Sequence, residues 1–150
     1  MIDPAAVADL LGKWWFNYDE GAFDVLTSLL TEDVHFTCRT DTDTVAWAEF
    51  ARADVTGRDT MMKWQTDHRR NSPYPLRHNG SNVHIVEQRD DEATFASYIH
   101  VTQVVNETPV SVPGGIVRGT VRQEPDGLRI SEIAVVLDTM TSDVFSAVKA

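Results

Sequence analysis

The sequence predicts an α+β fold: a cone-shaped α+β barrel in which a curved antiparallel sheet carries N-terminal helices on its concave face. Two observations predict it. Up to Asn71 the apolar residues recur mostly at spacings of three and four, the period of a helix, and after Pro75 they alternate with polar ones, the period of a strand. Helices come first and a run of strands joined by tight turns follows, an order that leads to a meander with helices packed on one face. A bent sheet closed by helices leaves a mouth, a natural place for a ligand. The 150 residues, 42% of them hydrophobic, suit one domain with a single core, taken here as 1–150.

Each element has its own signal. Asp3-Pro4 reads as an N-cap followed by proline at the first helical position. Val7, Leu11, Trp14, Trp15 and Tyr18 then fall on one stripe, with Asp19 at its border, and Gly21 breaks the helix. A second helix turns Phe23, Leu26, Leu29 and Leu30 inward, and "VHFTCRT" (Val34 to Thr40) alternates as a short strand. Trp47 to Asn71 reads as two helical pieces broken near Gly57, anchored by Trp47, Phe50 and Ala51 and by Met61, Met62 and Trp64. "NSPYP" stops the second piece, because proline cannot continue a helix. "LRHNGSNVHIVEQ" and "EATFASYIHVTQVV" are long strands joined at Asp90-Asp91. "VSVPGGIVRGTVRQE" is a third, and "LRISEIAVVLDTM" a fourth, entered through Pro125-Asp126-Gly127.

Strand parity says which side chains look into the cone. Phe95, Ser97, Ile99, Val101 and Gln103 form the more apolar face of the second long strand, and Ile133, Val135 and Leu137 that of the last. In the first long strand Val83 and Ile85 are odd while Leu76, His78 and Asn82 are even, so a bulge near Gly80 would let His78 point inward and His84 outward.

Charge and cysteine content narrow the function. The net charge of −10, with no basic run beyond His68-Arg69-Arg70, argues against nucleic-acid binding. The single cysteine, Cys38, leaves no intrachain disulfide. No window approaches a membrane span and the first residues lack the pattern of a signal peptide, so a cytoplasmic location is expected. The five histidines carry no ligand-pair spacing, and no metal is expected.

A histidine beside a buried aspartate makes an economical general base: the carboxylate fixes one tautomer and stabilises the imidazolium once it forms. Asp19 and His78 are the candidates, with Tyr18 placed to give a hydrogen bond to a substrate oxygen. Trp14 and Trp15 serve as pocket wall or core, and Arg118 as a cation for developing negative charge. Plainer roles stand beside these: a solvated carboxylate for Asp19, a strand-edge imidazole for His78, a surface phenol for Tyr18, a surface ion pair for Arg118.

The pieces "WWFNYDEGAFDVLTSLLTEDVHF", "GRDTMMKW", "RHNGSNVHI" and "DEATFASYIHV", in that order and spacing, resemble the SnoaL-like branch of the nuclear-transport-factor-like superfamily over Ala6 to Thr139. The resemblance implies that Asp19 and His78 form the proton-abstracting dyad of the dehydratase and dehydrochlorinase relatives, and that Tyr18 matches the tyrosine before that aspartate in scytalone dehydratase. The second catalytic histidine of scytalone dehydratase falls nearest Gln103, and Cys38 stands where a substrate-binding tyrosine, or the aspartate of ketosteroid isomerase, would be. The expected function is a cofactor-independent lyase or isomerase acting on a small apolar or cyclic molecule, with Trp14, Trp15, Ile99, Val101, Gln103, Arg118, Val135 and Leu137 around the substrate. A non-catalytic accessory subunit, as in the ring-hydroxylating dioxygenases, and a polyketide-type aldol cyclase are the alternatives. A homodimer or homotrimer is the expected assembly.

Overall fold

The computed structural model describes residues 1–140; the last ten residues of the expected domain lie outside them. Four helices and six strands follow one another: α1 (Pro4–Asp19), α2 (Phe23–Ser28), β1 (Leu30–Thr40), α3 (Ala48–Ala51), β2 (Ala53–Thr56), α4 (Arg58–Arg70), β3 (Leu76–Arg89), β4 (Glu92–Val105), β5 (Thr108–Glu124) and β6 (Gly127–Leu137). The strands form one mixed sheet in the order β2-β1-β6-β5-β4-β3. Every pairing is antiparallel except β1 with β6, where Phe36 lies beside Ile133 and Cys38 beside Val135. The last strand thus returns between the first strand and the meander and closes the cone.

The helix ends follow their local chemistry. Asp3 Oδ1 accepts from the Ala5 N–H at 2.9 Å, as an N-cap should. Gly21 takes a φ of 69° after α1, a conformation that costs glycine little. The inward stripe of α1 is Val7, Leu10, Leu11, Trp14, Trp15, Tyr18 and Asp19, all buried. It lies against the concave side of the sheet, where Phe95, Val117 and Ile133 are fully buried. On β5, Gly119 is needed for close approach: a Cβ there would sit 2.1 Å from the Glu132 carbonyl oxygen and 2.8 Å from the Phe95 ring.

Three local features differ from the sequence reading. The segment before Gly57 is a four-residue strand, β2, paired with β1, where a helical piece is expected; the helix there shrinks to the single turn α3. Leu30 opens β1, which is longer than the Val34–Thr40 expected. Phe50 is half-exposed at 48% rather than a core anchor. The register of β3 does shift, between Ser81 and His84, with Asn82 at a φ of 57°. Before the shift Leu76 and His78 face the helices; after it Val83 and Ile85 do, and His84 is exposed.

Candidate functional site

The end of α1 meets the start of β3 at Asp19. Its carboxylate accepts from His78 twice: Oδ1 lies 2.5 Å from the ring Nδ1 and Oδ2 accepts the His78 main-chain N–H at 2.7 Å. Asp19 is only 4% exposed. The Asp19 carbonyl oxygen, at the C-terminus of α1, accepts from Arg69 Nε at 2.9 Å and Nη2 at 2.7 Å, and Arg69 Nη1 reaches the Pro73 carbonyl at 3.1 Å. A buried guanidinium from α4 therefore holds the residue that holds the histidine. Trp15 covers one face of the His78 ring, stacked at 4.8 Å with planes 5° apart. Gly80 gives Trp15 room, since a Cβ there would approach Trp15 Cδ1 to 3.3 Å.

His78 lines a cavity of about 70 Å³ between α1, α4 and the sheet. That is space for about five waters, so a substrate is small or parts the walls as it binds. Of the residues expected around it, Trp14, Trp15, Tyr18, Ile99, Val135 and Leu137 line it. Val101, paired with His78 across β3 and β4, is buried but does not reach the cavity, and Gln103 lies farther along, opposite Leu76. Arg118 is exposed on the outer face, because its neighbours Val117 and Gly119 take the inward positions. Cys38 lines the cavity as a buried thiol whose pKa burial pushes up to about 12, so it is packed and protonated rather than nucleophilic.

The sequence reading missed His68. It comes from α4, lines the same cavity, and its Nδ1 lies 2.6 Å from the Tyr18 hydroxyl oxygen. Its ring is stacked with Trp64 at 4.5 Å and Phe50 at 4.4 Å. Burial, then the nearby His78 and Arg69, depress its pKa from 6.5 to about 4, so it is neutral near pH 7. Burial likewise raises the Tyr18 pKa, outweighing the Ser72 hydroxyl and the Arg69 charge. The spacing that could have found His68 is helical: it is seven residues after buried Met61 and three after buried Gln65.

With Nδ1 committed to Asp19, Nε2 of His78 is the ring nitrogen without a hydrogen bond among the described residues. An imidazole so held can take a proton from carbon, and the carboxylate stabilises the imidazolium that results. Among the described residues no three His, Cys, Asp or Glu side chains cluster as a metal would need. No helix of the described residues is long and apolar enough to cross a membrane.

A family model described as a SnoaL-like domain matches residues 1–134. No curated protein matches. Among solved structures, an NTF2-like protein with a cystatin-like fold from Novosphingobium aromaticivorans is 20% identical, with a TM-score of 0.76 over 99% of this chain and 89% of that one. A provisionally named scytalone dehydratase from the same organism is 18% identical, with a TM-score of 0.70 over 93% of this chain and 85% of that one. The β subunit of a provisionally named aromatic-ring-hydroxylating dioxygenase, again from that organism, is 13% identical, with a TM-score of 0.71 over 91% and 90%.

Proposed function

The chain belongs to the SnoaL-like family, and on that premise we propose that it is a single-domain lyase or isomerase, of dehydratase type, for a small apolar or cyclic molecule. His78 is the base, Asp19 orients it, and Tyr18 meets a substrate oxygen beside them. The observation that carries the reading is the 2.5 Å contact between His78 Nδ1 and Asp19 in a ring that lines the cavity. His78 Nε2 takes the proton, and the C–H electron pair either forms the new double bond as a leaving group departs, a hydroxyl leaving as water with the proton that His78 hands back, or delocalises into a carbonyl as an enolate. Apolar walls strengthen the charge interactions of that step.

The test is elimination, or deuterium exchange at carbon, on a panel of small cyclic ketones, alcohols and halides. His78→Ala should reduce turnover ~10²–10⁴-fold while circular dichroism shows a folded protein. A folded variant with full turnover on the best substrate would sink the mechanism. The assembly proposed with it, a homodimer or homotrimer, would use the outer sheet face around the half-exposed Tyr98 and Val104. Light scattering that finds only monomer at micromolar concentration would remove that part. A wild-type protein inert on the whole panel, but captured by a large oxygenase subunit, would favour the accessory-subunit reading.

A further inference from the structure

The Tyr18–His68 pair decides which kind of polar group the cavity accepts. Tyr18 has one hydroxyl proton, and its oxygen lies 2.6 Å from His68 Nδ1. Two arrangements fit that distance. In one, Tyr18 donates to a neutral His68 and its oxygen is left with free lone pairs. In the other, His68 donates and the Tyr18 O–H is free to find another acceptor.

The surroundings select the first. A charged His68 is disfavoured by its burial between Trp64 and Phe50 and by nearby His78 and Arg69. A neutral His68 with its proton on Nδ1 would leave the Tyr18 O–H seeking an acceptor among apolar walls. The nearby Ser72 hydroxyl spends its own proton on the His68 carbonyl at 2.7 Å, and the one side-chain hydrogen bond that the Tyr18 hydroxyl makes at 3.5 Å or less among the described residues is the one to His68 Nδ1. The hydroxyl of a residue only 3% exposed therefore finds its acceptor in His68.

We propose that His68 is a positioning residue that, by taking the Tyr18 proton, makes the Tyr18 oxygen a hydrogen-bond acceptor, so that the cavity selects a substrate presenting a hydroxyl there in preference to a carbonyl. This reverses the role expected from the sequence, where Tyr18 donates. It rests on the cavity being the substrate site of the proposed lyase or isomerase, and it names the substrate class: a small cyclic alcohol whose acidic C–H faces His78.

Equilibrium binding of unreactive ligands tests it without any need for turnover, so catalysis and selection fail separately. The probes are cyclopentanol and cyclopentanone, matched in size and differing in whether they can donate. The readout is the indole N–H resonances of Trp14, Trp15 and Trp64, which line the cavity, with Trp47 outside it as the control. The wild type should bind the alcohol about threefold to tenfold more tightly, the worth of one neutral hydrogen bond. His68→Phe keeps a ring in the stack but frees the Tyr18 O–H to donate, so the preference should fall to about one. His68→Asn, whose side-chain oxygen falls near the place of Nδ1, should restore the preference. Tyr18→Phe should abolish it. A structural role for His68 would change both affinities together and leave their ratio alone. An unchanged ratio in folded His68→Phe, a wild type that prefers the ketone, or no binding of either probe at millimolar concentration would each overturn the proposal.

Discussion

Lowering the pH from about 7 to about 5 should cost the wild-type protein stability that the His68→Phe variant keeps. An imidazole has an ordinary pKa of 6.5, and in the folded chain burial, then nearby His78 and Arg69, hold that of His68 at about 4. Unfolded chains therefore take up a proton at His68 as the pH falls through 6.5, while folded chains resist until about 4. In that window the unfolded state binds more protons, so stability falls with pH, and the loss is complete below both values. Worked through, the penalty is ~0.2 kcal/mol near pH 7 and ~2 kcal/mol near pH 5. Because His68 also borders a groove on the surface, solvent screening trims the second figure toward ~1 kcal/mol. The assay is urea unfolding of both proteins at both pH values, followed by tryptophan fluorescence. Groups far from His68 contribute equally in the two, so the double difference isolates His68 and the groups that touch it. If both proteins lose the same stability between the two pH values, the neutral His68 on which the Tyr18 argument depends is wrong.

Other substitutions probe the supports of the site. Arg69→Met leaves the Asp19 and Pro73 carbonyls without their guanidinium and should lower stability by ~3 kcal/mol or more, read as a clear drop in Tm; a Tm within two degrees or so of the wild type would contradict the buried bonding. Gly119→Ala pushes a Cβ onto the Glu132 carbonyl oxygen and the fully buried Phe95 ring, neither of which can yield freely, and should cost ~3 kcal/mol or more; a cooperative, near-wild-type melt would refute it. Asp19→Asn faces two donors, the His78 ring and main-chain N–H groups, with only one accepting atom, so its Nδ2 meets a donor or the ring turns to the wrong tautomer. Turnover should fall ~10²-fold or more, and a variant as active as the wild type would show that the tautomer is set elsewhere.

How much of this was legible follows the physics of each signal. The first helix could be read to its last residue because a cap, a proline, a continuous apolar stripe and a glycine all agree. The sheet from Leu76 onward could be read because alternation is strong and the connecting turns are short. β2 could not, since four residues carry too little alternation to outweigh the helical spacing on either side. Arg118 joins the expected site by its chemistry alone, whereas its position between inward Val117 and Gly119 puts it on the outer face. In sequence His68 and Arg69 stand out only as part of a short basic run, because charge in sequence hides burial in space. The stripe Met61, Gln65, Arg69 shows at four-residue spacing that this run turns inward.

Asp19 is bonded at both ends, by its carboxylate to a strand and by its carbonyl to a second helix. One residue thus acts as a three-way joint, and α1, α4 and β3 share it. The consequence is experimental. Truncating Asp19 removes a mechanical fastening along with a chemical partner, so lost activity in such a variant conflates an undocked helix with an unpaired base. Truncating His78 spares the fastening, because its main-chain N–H still reaches Oδ2. The two halves of one hydrogen-bonded pair are therefore unequal as genetic evidence, and only the strand side can be cut without also loosening the helix that frames the cavity.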